Sequence, residues 1–179
     1  MHKFSLSKNI EGVLPQSVLD QGGHAFSIDA DFRTVLKIIR LFNDEEIADI
    51  HKMIIACNTF YKEKMPEDAL TLLMRFISGE DAKEEQLQEK ESTQTFCYEF
   101  DAPEIYASFV QQYGIDLLDI EFLHWYKFKA LFGGLSEETP FMKKIQLRFM
   151  DLTHIKDKEK AQKAKQQVQL PKKTRKTKQ

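Results

Sequence analysis

The chain has 179 residues, of which 42% are hydrophobic and 30% are charged, a profile typical of a soluble globular protein. Seven Gly and five Pro, against 26 basic and 28 acidic residues, leave few turn formers and many helix formers, so the composition predicts an α-rich fold. No apolar run approaches the roughly 18 residues of a membrane span, and the N-terminal residues lack the apolar core of a secretory signal. We therefore expect neither a membrane span nor a secretory signal.

Positive and negative charges are unevenly distributed, although the net charge is only −2. Residues 156–179 carry ten basic and two acidic side chains, whereas residues 1–155 carry 16 basic and 26 acidic ones. The acidic body would repel phosphates, and the extension lacks interleaved aromatic residues, so we do not expect nucleic acid to be a partner. We expect the extension to be a dispensable solubility tail or a docking site for an acidic protein. The cations assigned to this docking tail are Lys172, Lys173, Arg175 and Lys176.

The N-terminal part of the chain, residues 1–25, is predicted to be an irregular arm because a proline and a Gly-Gly pair interrupt it. Phe26, Ile28 and Ala30 then alternate with polar residues, which predicts a short strand that could pair with upstream residues as a hairpin.

Three helices are predicted next, from apolar residues spaced at three and four. Asp31 provides the N-cap of the first, the Asn-Asp-Glu-Glu run at 43–46 starts the second with an N-cap and acids in its first turn, and Pro66 opens the third, which Gly79 ends. The residues predicted to face the core are, in chain order, Phe32, Val35, Leu36, Ile39 and Phe42; Ile47, Ile50, Ile54 and Tyr61; and Leu70, Leu73, Met74 and Ile77.

Residues from about 79 to 95 are rich in charge and have no apolar stripe, so they are predicted to form a linker. Asp101 then caps a fourth helix that ends at Gly114, residues 117–135 form a fifth, and Ser136 begins a sixth. The sequence thus predicts a mainly α, helical-bundle-like single domain of about six helices over residues 26–155. A basic polar helix and a disordered tail are predicted for residues 156–179.

The fifth predicted helix carries apolar side chains around most of its circumference. Eight of the fourteen residues from Asp119 to Phe132 are large and apolar. Such a helix is either central in its own domain or packed against a partner, and the pattern leaves both alternatives open. The residues assigned to this core or partner-binding surface are Phe122, Trp125, Tyr126, Phe128 and Phe132.

The sequence contains no phosphate-binding loop, dinucleotide-binding motif, nucleophile elbow or Cys-x-x-Cys pair. Its two cysteines are expected to be free thiols. Glu121-x-x-His124 has the ligand spacing of a di-iron helical bundle, and Asp151-x-x-His154 is a looser copy. A di-iron site also needs two inward-facing carboxylates on other helices. We therefore expect no metal, no cofactor and no enzymatic activity, and keep a di-iron protein as a less favoured alternative.

Several short motifs carry a resemblance to a known family. The densest are Tyr113-Gly114-Ile115-Asp116, Leu123-His124-Trp125, Ala130-Leu131-Phe132 and Met150-Asp151-Leu152, with Asp31-Phe32-Arg33 and Pro66-Glu67-Asp68 further upstream. Together they resemble the bacteriophage gene-product-fifteen family over most of the chain. Genes of that family typically lie in tail-morphogenesis clusters of siphophages of Gram-positive hosts, just before the tape-measure gene.

That gene position implies a similarity to tail assembly chaperones. These are small, mostly helical, non-catalytic proteins that coat the hydrophobic tape-measure protein and recruit tail-tube subunits. The resemblance therefore implies the tape-measure protein and the major tail-tube protein as partners, in the cytoplasm of the host cell, and leaves a homo-oligomer open. The alternative within the same class is a minor structural component that is retained in the virion.

Overall fold

The computed structural model describes residues 14–79, 95–150 and 158–170. Within these ranges the chain forms one antiparallel β-hairpin and seven helices, which confirms the predicted mainly α fold. The chain divides into two compact units, one of residues 1–90 and 121–131 (unit 1) and one of residues 91–120 and 132–179 (unit 2). None of the helices in the described ranges has the length and apolar character that a membrane crossing requires.

Unit 1 starts with the hairpin of β1 (Ser17–Leu19) and β2 (Ala25–Ser27), in which Val18 pairs with Phe26. Helices α1 (Phe32–Asn43), α2 (Asp49–Phe60) and α3 (Ala69–Ser78) follow. The Asp31 carboxylate accepts the Arg33 N–H at 2.9 Å, which confirms the predicted cap of α1. The most deeply buried apolar side chains of this unit include Val18, Ile28, Val35, Ile38, Ala56, Phe60, Leu73, Phe76 and Phe128.

Helix α2 differs from its prediction in both its start and its buried face. Residues 43–46 lie outside α2: Asn43 is the last residue of α1, and Asp44 accepts the Glu46 N–H at 2.8 Å and so forms a turn before α2 begins. The buried face contains Lys52, Ala56, Cys57 and Phe60. Two residues predicted to face the core are instead exposed, Ile50 by 61% and Ile54 by 52%.

Helix α3 also starts later than predicted, at Ala69, and it buries Leu72, Leu73 and Phe76, whereas Met74 is exposed. Its end is as predicted: Gly79 adopts a left-handed conformation with φ of 77°, which a residue with a Cβ atom rarely does.

Unit 2 contains α4 (Ala102–Tyr113), the last residues of α5 (Trp125–Gly133), α6 (Pro140–Phe149) and α7 (Lys158–Gln167). Gly114 ends α4 at φ of 64° and donates its N–H to the Phe109 and Val110 carbonyls, as predicted. Helix α6 begins after Thr139 rather than at Ser136. Among the apolar and aromatic side chains of α4 and α6, Ile105, Phe109 and Phe141 are buried, Tyr113 and Ile145 are half-buried, and Val110 and Phe149 are exposed.

The fifth helix is shorter than predicted, because residues 117–124 are not helical. The Asp116 carboxylate accepts the N–H groups of Leu118 and Asp119 at 2.9 and 3.3 Å, which forms an Asx turn that competes with helix. Most of the predicted linker (residues 80–94) and the four cations of the docking tail lie outside the described residues, as do Asp151 and His154.

Candidate functional site

Three of the five aromatic residues assigned to the core or partner-binding surface are buried in unit 1. Trp125, Tyr126 and Phe128 are only 2%, 6% and 1% exposed. The Trp125 indole stacks on the Phe128 ring with centroids 5.7 Å apart, and its Nε1–H donates to the Ile77 carbonyl at 3.0 Å. The Phe128 ring also stacks on Phe32 at 4.8 Å. Of the two alternatives, core or partner-binding surface, these contacts favour the core for the three residues.

The other two aromatic residues have different surroundings. Phe122 is 46% exposed, so a partner can reach it. Phe132 is half-buried in unit 2, where its ring lies 5.0 Å from Phe141 and 5.2 Å from Phe96. The density of apolar residues in this segment therefore reflects packing within each unit more than one continuous binding surface.

His124, a ligand in the di-iron alternative, is buried and bonded to the backbone through both ring nitrogens. Its Nε2 lies 3.1 Å from the Pro15 carbonyl oxygen, and its Nδ1 lies 3.1 Å from the Tyr126 N–H. A neutral ring protonated on Nε2 satisfies both contacts, since it donates to Pro15 and accepts from Tyr126. His124 thus acts as a cap for helix α5. Among the described residues, no group of three or more His, Cys, Asp and Glu could hold a metal ion.

Burial lowers the pKa of His124 below its ordinary value of 6.5. The unfolded chain therefore binds a proton more readily than the folded one, and we expect the free energy of unfolding to fall as the pH drops below about 6.5. Denaturation with urea at pH 7.5, 6.5 and 5.5 measures this slope. His124→Asn keeps an acceptor for the Tyr126 N–H but does not titrate, so its slope should be shallower. Equal slopes for both proteins would contradict this assignment.

Helix α2 carries apolar side chains that the fold leaves at the surface. We call this set the α2 face, and its members are Ile50 (61% exposed), Met53 (39%), Ile54 (52%) and Ile55 (45%). The first three are spaced at three and four and lie on one side of the helix, with Ile55 at its edge. Contiguous exposed apolar residues mark interaction sites more often than scattered ones do. The α2 face is therefore the candidate functional site.

A groove between α1 and α2 runs along the edge of the α2 face. Its volume is about 280 Å³, which is smaller than most small-molecule sites but sufficient for one or two side chains of a partner. Ile38, Leu41 and Ile55 provide its apolar lining, and Lys37, Arg40, Asp44 and Thr59 its polar rim. The groove extends the apolar surface that a partner helix could contact.

A buried ion cluster organises unit 2 and was not predicted from the sequence. Asp101 is 0% exposed, and its carboxylate lies 2.8 Å from Arg148 Nη2 and 3.0 Å from Lys144 Nζ. Arg148 also donates to the Thr95 and Val168 carbonyls, both at 2.6 Å. Asp101 occupies the predicted N-cap position of α4, but its carboxylate accepts the Cys97 N–H rather than an N–H of the helix.

Burial alone would raise the pKa of Asp101, but hydrogen bonds from Arg148, from the Cys97 N–H and from Lys144 outweigh it, and the pKa lies below its ordinary value of 3.8. The cluster connects α4 to α6, and through Arg148 it also binds the backbone carbonyls of Thr95 and Val168. All cations and carboxylates in it are engaged with each other or with the backbone, so we assign it a structural role.

Comparisons with known proteins connect this chain to one protein family. Neither the curated proteins nor the solved structures gave a significant match. The family model described as Bacteriophage Gp15 protein matches residues 12–170, a range that includes the hairpin and all seven described helices. The chain therefore belongs to the bacteriophage Gp15 protein family and is accordingly a phage structural or assembly protein.

Proposed function

We propose that this protein is a phage tail assembly chaperone, which binds the tape-measure protein and helps to recruit subunits of the major tail-tube protein. It acts by binding rather than by catalysis, in the cytoplasm of the infected host. Membership of the Gp15 family supports a role in building the virion. The observation that carries the proposal further is the exposed α2 face, which offers apolar side chains to a partner.

The geometry of the α2 face suits a helical client. Ile50, Met53 and Ile54 form one ridge, and the groove between α1 and α2 lies beside Ile55. An amphipathic helix can place residues of its own apolar stripe over such a ridge and into such a groove. The excess of acidic residues in the body of the protein would keep a complex with a hydrophobic client in solution.

A co-expression pull-down with the tape-measure protein of the same phage tests this proposal. We expect the wild-type chain to retain the tape-measure protein and Ile54→Asp to reduce the retained amount at least about 10-fold, because a carboxylate would be desolvated in the contact. Leu118→Asp is the matched control, since it makes the same chemical change at a leucine of unit 2 that is 78% exposed.

Two results would contradict the proposal at different levels. Failure of the wild-type chain to retain the tape-measure protein would refute the chaperone role. Equal retention by wild type and Ile54→Asp would refute the α2 face as the client site, provided that circular dichroism shows both proteins to be folded.

The alternative is a minor structural component that remains in the finished tail. It shares the family and the exposed α2 face, so the location of the protein after assembly separates the two roles. A chaperone should be absent from purified virions, whereas a structural component should be found there by mass spectrometry.

A further inference from the structure

The two ends of the α2 face carry opposite charges. Exposed acids lie before and at the start of α2, at Asp44, Glu45, Glu46 and Asp49, of which Asp49 is 3.3 Å from Lys52 Nζ. Exposed lysines lie at the other end. Lys62 and Lys64 follow the helix, with Glu63 between them, and Lys37 of α1 lines the same groove as Thr59 near the C-terminus of α2. The apolar ridge thus runs from an acidic end to a basic end.

The charges on two copies of this surface are complementary when the two α2 helices are antiparallel. A two-fold axis near Ile50–Ile54 would pair the two α2 helices antiparallel, so that Ile50 of one copy meets Ile54 of the other, and the reverse. Each acidic end would then lie against the basic end of the other copy. A parallel pair would instead bring like charges together, which is unfavourable.

We infer that the α2 face is covered by the α2 helix of a second copy, in an antiparallel homodimer. The exposed isoleucines provide the apolar contact, and the charges at the two ends set the orientation. The contact area of one helix pair is small, so we expect a dissociation constant on the order of 1–10 μM. If the proposed function is correct, a tape-measure helix that binds the same face must displace the second copy.

Sedimentation velocity of the full-length protein between about 1 and 100 μM tests the dimer without any client. We expect wild type to shift from monomer to dimer across this range. Ile54→Asp, which changes both sides of a two-fold interface at once, should raise the dissociation constant at least about 30-fold. Leu118→Asp should leave it unchanged. A wild-type protein that is monomeric at 100 μM, or an Ile54→Asp variant with unchanged association, would overturn the inference.

Charge reversal tests the antiparallel orientation. Glu45→Lys with Glu46→Lys, and separately Lys62→Glu with Lys64→Glu, should each weaken the dimer by about 3- to 10-fold at low salt. Combining all four substitutions should restore association, because opposite charges would again face each other. A parallel pair would show no such rescue, and that result would overturn the proposed geometry.

The outcomes distinguish the dimer from the chaperone role. A dimer that fails to retain the tape-measure protein would refute only the proposed function. A monomer that retains it through Ile54 would refute only the dimer and would show that the α2 face is reserved for the client.

Discussion

Replacing Trp125 with alanine is expected to lower the free energy of unfolding by about 3–5 kcal/mol. The indole is 2% exposed and stacks on Phe128 in the core of unit 1, so truncation removes a large buried surface and leaves a cavity. It also removes the 3.0 Å hydrogen bond from Nε1 to the Ile77 carbonyl. Lys129 Nζ, at 3.3 Å from the same oxygen, would compensate for only part of that loss.

Urea denaturation followed by circular dichroism measures this effect, and Phe122→Ala is its matched control. Phe122 belongs to the same aromatic segment but is 46% exposed, so its truncation should cost less than about 1 kcal/mol. Similar losses in the two variants would contradict the burial of Trp125. If the large loss is found, Trp125→Ala is unsuitable for mapping a partner site, because a folding defect would also abolish binding.

The parts of the fold that could be predicted from the sequence are those with a local chemical cause. The cap at Asp31 and the helix ends at Gly79 and Gly114 depend on a few neighbouring residues, and the structure confirms all three. The fifth helix was predicted too long because its start was inferred from apolar density and not from a local capping signal. Apolar density from residue 117 onward favours burial in any conformation, and it could not show that Asp116 would form an Asx turn.

The candidate site was missed because periodicity finds apolar faces without showing which of them is covered. Helix α2 has two such faces, one with Ile50 and Ile54 and one with Ala56 and Phe60. Ile50 and Ile54 make the more regular large-aliphatic stripe, yet the face with Ala56 and Phe60 is buried in unit 1. Lys52, beside this face, is also buried, although the polarity of a lysine side chain predicts that it is exposed. Only tertiary packing could decide between the two faces.

Replacing Arg148 with alanine is expected to cost about 3–5 kcal/mol of stability, because it leaves the fully buried Asp101 carboxylate with too few partners. Lys144 would remain 3.0 Å away, but it also serves Glu104 at 2.8 Å. The Thr95 and Val168 carbonyls would lose their donor as well. We therefore expect the loss to exceed that of Lys144→Ala, and urea denaturation of both variants at pH 7 measures the difference.

Removing the charge from both Asp101 and Arg148 shows whether the stability loss in Arg148→Ala comes from an uncompensated buried carboxylate or from lost packing. In Asp101→Asn combined with Arg148→Met, no buried carboxylate remains and most of the arginine's volume is retained, so stability should recover partly relative to Arg148→Ala. The pH dependence provides a second measurement. Since the pKa of Asp101 is depressed in the folded state, its stabilisation is complete above about pH 3.8 and is lost as the pH falls further. The double variant should lose less stability between pH 5 and pH 3 than wild type, because the carboxylate that would take up the proton is absent. Equal losses would show that the cluster is not what stabilises unit 2 at low pH.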